Sequence, residues 1–152
     1  MLEKMADFFE SRLDGYDEHM LTNIESADEF YPYTAKQLTT TENCHILDLG
    51  CGTGLELEEY FLLNPSARIT GIDLSGGMLS ALKKKFSDKE EQMHRQNLIS
   101  LKAEQGISDN EFYHYDTPLT VKHETDALME AGFSSALVLK NWGATYTIKA
   151  VK

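Results

Sequence analysis

A glycine-rich turn between a short apolar strand and a helix constrains this chain more than any other feature. The segment His45–Leu57 reads HILDLGCGTGLEL. Gly50, Gly52 and Gly54 allow a tight turn and a close approach of the backbone to a ligand, because no Cβ stands in the way. The helix that follows adds free N–H groups and the positive end of its dipole. The segment therefore predicts a site for a nucleotide-like ligand at the end of the first strand.

Composition narrows the class of protein and of partner. The 152 residues fit one domain, and the formal net charge of −11 argues against a nucleic-acid backbone as the main partner. No apolar run approaches the roughly 20 residues that a membrane span needs. Cys44 and Cys51 have no second CxxC motif or histidine cluster beside them, which disfavours a zinc site. We therefore expect a cytoplasmic protein without a metal, a nucleic-acid partner or a membrane partner.

The spacing around the turn predicts a βαβ unit. A strand over 44–49 and a helix over 54–63 are followed by a second strand, Ala67–Asp73, that ends in an acid. Ser75 can cap the next helix. Gly50 and Asp73 are 23 positions apart, close to the roughly 20 expected when the acid binds ribose hydroxyls. The pattern indicates an α/β chain whose doubly wound, Rossmann-like sheet opens here.

The order of the glycines separates two kinds of ligand. A dinucleotide fingerprint, G-x-G-x-x-G, requires glycine at position 55, where this chain has Leu55, so a nicotinamide oxidoreductase is disfavoured. The sequence LDLGCGTG instead resembles the first motif of the class I S-adenosylmethionine-dependent methyltransferases, (V/L)LDxGxGxG. TGIDLSGGML, over 70–79, resembles their second motif.

The resemblance implies S-adenosyl-L-methionine as the cofactor and a small-molecule methyl acceptor. The turn Gly50–Gly54, including Cys51 and Gly52, would pack against the methionine part of the cofactor, and Asp48 would place its amino group. Asp73 would bind both ribose hydroxyls, Leu74 would lie against adenine, and Met78 would belong to the start of the next helix. No catalytic residue is assigned. Acceptor-side candidates are His19, Tyr113, His114 and Tyr115.

Residues 1–40 predict two or three short helices, which resemble the helical cap of small-molecule methyltransferases. Two interpretations of their aromatic residues stay open. The side chains either cover one edge of the core, or they close over the ligand site. The residues of the second interpretation are Tyr16, Met20, Tyr31 and Tyr33.

The resemblance breaks after Phe86. The family pattern continues with a third strand that ends in Asp or Asn near adenine, and with fourth and fifth strands. Here SDKEEQMHRQNLISLKAEQG predicts a helix over 87–106 and leaves strands 3, 4 and 5 without a candidate. The remainder, 107–152, predicts an extended stretch (EFYHYDTPLT), a helix after Thr120 and a β-hairpin around Trp142-Gly143. We therefore predict one domain over 1–152: a cap (1–40), a βαβα unit (44–86), a helix (87–106), and a carboxy-terminal helix and hairpin (107–152).

An abbreviated domain leaves two arrangements and two functions open. The hairpin can lie beside strand 1, which gives a sheet of order 2-1-7-6, or the free edge of strand 1 can pair with a second copy in a homodimer. The chain is either a shortened methyltransferase or a non-catalytic domain of the same fold that binds the cofactor weakly or serves in assembly.

Overall fold

The computed structural model describes residues 4–108 and 119–152. This part of the chain contains α-helices and β-strands in the alternation that the sequence predicts up to residue 86. The helices are α1 (Met5–Glu10), α2 (Tyr16–Asn23), α3 (Ala27–Ala35), α4 (Leu55–Leu63), α5 (Gly76–Lys85), α6 (Leu98–Glu104) and α7 (Val121–Glu130). The strands are β1 (His45–Leu49), β2 (Arg68–Asp73), β3 (Met93–Asn97), β4 (Ser135–Trp142) and β5 (Thr145–Val151). No helix among these residues is both long and apolar enough to cross a membrane.

A parallel three-stranded sheet of order β1-β2-β3 forms the centre of the fold. Ile69 of β2 is paired with Ile46 on one side and with Met93 on the other. Helices α4 and α5 supply apolar side chains to the core that contains these strands, and removal of these side chains from water is the main favourable contribution to folding. The buried core residues of α4 are Leu57, Tyr60 and Phe61. Leu82 of α5 and Phe86, which follows that helix, are buried in the same core.

The α/β fold class is as predicted, but the single helix over 87–106 is wrong. A 3-10 turn (Ser87–Lys89) leads into β3, and only then does helix α6 begin. The sequence of β3, MHRQN, has no β-branched or aromatic residue, so its propensity gives no signal. The strand forms because β2 offers it a free edge and because Met93 is 3% exposed in the core. The third strand of the family pattern is therefore present, and it ends in Asn97.

The expected strand order 2-1-7-6 is also wrong. Strands β4 and β5 pair antiparallel with each other in a separate two-stranded sheet, and β1 is an edge strand within the described residues. The hairpin packs instead on helix α3 through Trp142, whose ring lies 5.3 Å from that of Tyr33. The Trp142 indole N–H donates to Glu29 Oε2 at 2.9 Å. Burial of this large ring against α3 stabilises the hairpin in this position rather than beside β1.

The amino-terminal residues form three short helices, in agreement with the sequence prediction. Asp17 of α2 binds residues of the βαβα unit. Its Oδ1 accepts a hydrogen bond from the Thr53 hydroxyl at 2.5 Å, and its Oδ2 lies 2.5 Å from Lys85 Nζ. Thr53 belongs to the glycine turn and Lys85 to α5. Helix α2 is therefore held directly over the turn.

Replacement of Trp142 with alanine should lower the free energy of unfolding by about 3 kcal/mol, because a buried aromatic side chain is lost. Trp142→Phe keeps most of the ring contact and removes the hydrogen bond to Glu29, so its loss should be about 1 kcal/mol. Urea unfolding followed by circular dichroism measures the free energy of unfolding of both variants. Tryptophan fluorescence cannot be used, because Trp142 is the sole tryptophan and both substitutions remove it. Equal stability of Trp142→Ala and the parent chain would contradict this role.

Candidate cofactor-binding site

A cavity of about 420 Å³ lies at the carboxyl ends of β1 and β2, where open α/β sheets bind their ligands. Five of the eight residues predicted to bind a cofactor line it: Gly50, Gly52, Asp73, Leu74 and Met78. The other lining residues are Met5, Phe9, Tyr16, Leu49, Ile72 and Leu98. The structure thus brings together the predicted polar groups and a largely apolar wall.

Asp73 is fixed by two backbone amides at the end of β2. Gly52 N–H donates to Oδ2 at 2.9 Å, and Ser75 N–H donates to Oδ1 at 2.8 Å. Each carboxylate oxygen can accept a second hydrogen bond. Asp73 therefore offers two oriented acceptors, one on each oxygen, to a ligand that carries two adjacent hydroxyl groups.

The glycine turn has an open side and a packed side. Gly50 and Gly52 have φ values of +75° and +50°, and a Cβ at either position would meet nothing within 4 Å. Gly54 has φ +74°, but a Cβ there would lie 2.5 Å from Leu82 Cδ1. The first two glycines leave space for a ligand, whereas the third allows close packing against the core.

Cys51 points its side chain away from the cavity and into the core. Cys51 is 3% exposed. Its Sγ packs against Gly71 of β2 so closely that a Cβ at position 71 would lie 2.9 Å from it. Burial raises the pKa of the Cys51 thiol to about 12, and the charge of Asp48 adds to this. The thiol is therefore neutral near pH 7, and only the backbone of Cys51 is placed to face a ligand.

Two carboxyl groups, Asp48 and Glu56, lie near enough to each other beside the turn for each to influence the pKa of the other. Burial raises the pKa of Asp48. Burial and the charge of Asp48 together raise the pKa of Glu56 to about 7. The second oxygen of Asp48, Oδ2, is buried and has no hydrogen-bond partner among the described residues.

Glu56 also lines a second, smaller cavity of about 100 Å³, together with the glycine turn. Tyr16 and Tyr31 form the wall contributed by the cap. Burial raises the pKa of Tyr16, with Asp17 adding to the effect, so its phenol stays protonated near neutral pH. Of the four residues proposed for the cap over the ligand site, these two line the cavities, while Tyr33 packs on Trp142.

The sequence interpretation did not single out two polar residues at this site. Glu56 lies in the first turn of α4, directly after the glycine turn. The signal that could have identified it is its position near Asp48 of β1, since the turn between them is short. Asn97 ends β3, where its Nδ2 donates to the Leu74 carbonyl at 3.0 Å and its Oδ1 accepts from Ile99 N–H at 3.1 Å. Asn97 could not be placed while its strand was interpreted as a helix.

Of the four acceptor-side candidates the structure describes only His19, which does not line the cavity. His19 is exposed on α2 and is hydrogen-bonded to Asn23 at 2.9 Å. Tyr113, His114 and Tyr115, and most of the stretch predicted to be extended, lie outside the described residues. Among the residues described, no group of three or more His, Cys, Asp or Glu side chains is arranged to hold a metal ion.

Comparison with known families decides the assignment. The family model described as "Methyltransferase domain" matches residues 47–122, half of the chain. The chain belongs to this family. The match begins inside β1 and includes the glycine turn, Asp73 and β3, so the resemblance seen in the two sequence motifs is confirmed. S-adenosylmethionine is the cofactor of this family of methyltransferase domains, as the resemblance implies.

Individual relatives of this methyltransferase domain match over short stretches. A malonyl-[acyl-carrier protein] O-methyltransferase from Legionella pneumophila is 55% identical over 40 residues, which are 26% of this chain and 14% of that protein. A trans-aconitate 2-methyltransferase from Paracidovorax citrulli is 41% identical over 46 residues, 30% of this chain and 18% of that protein. The matched stretches span at most 58% of the length of the first curated relatives.

Among solved structures, an S-adenosylmethionine-dependent methyltransferase from Methanococcus maripaludis, itself described as putative, aligns at 19% identity with a TM-score of 0.48. The alignment covers 64% of this chain and 45% of that one.

The residues present at the site fit S-adenosylmethionine. Gly50 and Gly52 leave space beside the turn, and Asp73 offers two oriented acceptors that fit the two ribose hydroxyls of that molecule. Asp48 Oδ2 is buried without a partner among the described residues, which fits an ammonium group as donor.

Proposed function

We propose that this methyltransferase domain transfers a methyl group from S-adenosylmethionine to a small molecule. The placement of Asp73 and the glycine turn around one cavity is the observation that carries the proposal. Two hydrogen bonds from backbone amides hold the Asp73 carboxylate before a ligand arrives, so little further ordering is needed on binding.

The five predicted residues that line the cavity each have a part in holding the cofactor under this proposal. Gly50 and Gly52 present backbone to its methionine part, and Asp73 accepts hydrogen bonds from its ribose hydroxyls. Leu74 and Met78 provide apolar contact for adenine. Asn97, which is hydrogen-bonded to the Leu74 carbonyl, completes the adenine end and supplies the strand-end amide of the family pattern.

The bound cofactor would supply an activated methyl group on a sulfonium, and the protein's part is to position the reactants and exclude water. Met5 and Phe9 of α1, in the cap, and Leu98 of α6 contribute apolar side chains to the wall of the cavity. Such a wall favours loss of the sulfonium charge as the methyl group leaves. It also fits an apolar or partly apolar acceptor of low mass.

Methyl transfer is tested with S-adenosylmethionine labelled on its methyl group. The chain is incubated with fractionated small-molecule extract, and label in the low-mass fraction and formation of S-adenosylhomocysteine are measured. We expect both products with the parent chain and neither with Asp73→Ala. Cofactor binding without turnover above the Asp73→Ala background would favour the non-catalytic alternative instead.

We also propose that the edge of β1 that no described strand pairs with binds a second copy of the chain. Leu47 and Leu49 are 59% and 70% exposed on this edge strand, and an edge strand can pair with its own copy about a twofold axis. Light scattering should give twice the 17.2 kDa of one chain. Leu47→Lys should halve that mass, whereas Leu62→Lys, at a 77% exposed position on α4, should not. A monomeric parent chain at tens of micromolar would refute the pairing.

A further inference from the structure

Helix α2 contributes a wall residue to both cavities at the glycine turn, yet it has no buried residue of its own. Tyr16, its first residue, lines the larger and the smaller cavity. None of the eight residues of α2 is buried, whereas the neighbouring α3 buries Ala27 and Ala35. Burial of apolar side chains therefore stabilises the position of α3 more than that of α2.

The carboxylate of Asp17 makes the polar contacts that hold α2 against the central unit. Its Oδ1 accepts a hydrogen bond from the Thr53 hydroxyl at 2.5 Å, and its Oδ2 lies 2.5 Å from Lys85 Nζ. Thr53 is buried in the glycine turn, and Lys85 is the last residue of α5. Hydrogen bonds to a charged group are stronger than those between neutral groups, and partial burial strengthens them further. One side chain thus joins the start of α2 to the turn and to α5.

The contacts of Asp17 can break without leaving a buried charge unpaired. Lys85 Nζ also lies 3.4 Å from Glu58 Oε1, so the ammonium group keeps a carboxylate partner when Asp17 moves away. The Asp17 side chain is 36% exposed and can bind water instead. The large penalty for an unpaired buried charge is therefore avoided in the open arrangement. This combination fits a contact that opens and closes repeatedly.

We propose that Asp17 is a positioning residue that keeps Tyr16 over the cavities, and that its two contacts break each time the cofactor enters or leaves. The inference rests on the proposed function, since it takes S-adenosylmethionine as the ligand. Thr53 lines the smaller cavity together with Tyr16, so its hydrogen bond to Asp17 closes the cap directly onto the turn. Release of α2 then limits the rate of cofactor exchange.

A residue that holds the cap closed has a different kinetic effect from a residue that binds the cofactor. Loss of a direct contact with a ligand raises mainly the dissociation rate constant. The contacts of Asp17 exist without a ligand, so they slow entry as well as exit. Their removal should raise the association and the dissociation rate constants together. Because the dissociation constant is the ratio of the two, affinity should change less than either rate.

Surface plasmon resonance with the full chain immobilised and S-adenosylhomocysteine as the ligand measures both rate constants. We expect Asp17→Ala to raise each of them about tenfold, as for loss of one charge-assisted hydrogen bond. The dissociation constant should stay within about threefold of the parent value. Asp17→Asn keeps an oxygen that accepts from Thr53 and loses the ion pair with Lys85, so its rates should rise by up to about fivefold.

Ionic strength gives a second readout that a merely structural role would not move. S-adenosylhomocysteine carries one ammonium and one carboxylate group, so salt acts mainly on the ion pair and not on the ligand. Both rate constants of the parent chain should rise between about 0.05 and 0.5 M salt, because screening weakens the pair of Asp17 with Lys85. The rates of Asp17→Asn should depend much less on salt.

Glu18→Gln is the matched control for Asp17→Asn, because it removes one negative charge from the next, exposed residue of α2. Its rate constants should equal those of the parent chain. Thr53→Val removes only the hydroxyl and should raise both rate constants, with the salt dependence kept. Thermal unfolding shows which variants are folded, and if Asp17→Ala is not, Asp17→Asn and the salt series decide.

Two results would overturn this role of Asp17 and leave the proposed function standing. One is parent-like exchange in folded Asp17→Ala and Asp17→Asn chains. The other is faster dissociation of S-adenosylhomocysteine from these variants with unchanged association, which would make Asp17 an ordinary binding residue. Failure of the parent chain to bind S-adenosylhomocysteine at millimolar concentration would overturn the proposed function and this inference together.

Discussion

Replacement of Asp73 with alanine should weaken binding of S-adenosylhomocysteine by about 100-fold or more. The substitution removes two charge-assisted hydrogen bonds to the ribose, each worth about 1.5–3 kcal/mol. It also frees the amides of Gly52 and Ser75, which the carboxylate now holds at 2.9 and 2.8 Å. Calorimetric titration of the variant against the parent chain measures the loss.

Asp88→Ala is the matched control for this effect. Asp88 lies in the 3-10 turn after α5, its side chain is 73% exposed, and its Oδ2 lies 3.7 Å from Lys89 Nζ. Its loss should leave cofactor affinity within twofold of the parent. Thermal unfolding of both variants shows whether the fold is kept. An Asp73→Ala chain that is folded and binds as tightly as Asp88→Ala would remove Asp73 from the site.

Gly54→Ala should destabilise the domain far more than Gly50→Ala, although both glycines have nearly the same φ, +74° and +75°. The left-handed conformation alone costs an alanine about 1–2 kcal/mol. At Gly54 the new Cβ would also lie 2.5 Å from Leu82 Cδ1 and 3.2 Å from Leu57 Cδ1, and overpacking adds about 1–3 kcal/mol. Leu57 and Leu82 are 1% and 0% exposed, so neither can move aside into solvent.

Urea unfolding followed by circular dichroism compares the two glycine variants with the parent. We expect losses of about 2–5 kcal/mol for Gly54→Ala and about 1–2 kcal/mol for Gly50→Ala. Each 1 kcal/mol corresponds to about 2–4 °C in the melting temperature of a domain of this size. Equal losses in the two variants would show that the packing of α4 on α5 at Gly54 is looser than described.

The sequence could predict the βαβ unit because every local signal there agrees with the fold. The glycine turn, the strand-end acid Asp73 and the capping Ser75 are each explained by a short-range rule, and the cavity forms where those rules place it. The eight predicted residues remain a binding prediction, and five of them line the cavity.

Strand β3 could not be predicted because its stability comes from a neighbour rather than from its own residues. MHRQN pairs with β2 along its whole length, and Met93 contributes the buried side chain. The same holds for the hairpin β4–β5, whose position is decided by the contact of Trp142 with α3 and not by the free edge of β1. Long-range contacts of this kind override local propensity.

Titration of the parent chain with S-adenosylhomocysteine in a calorimeter tests the cofactor site most directly. A site built from the glycine turn and Asp73 predicts saturable heat with one ligand per chain and a dissociation constant in the micromolar range. Absence of any heat of binding at millimolar ligand, from a chain that circular dichroism shows to be folded, would contradict it.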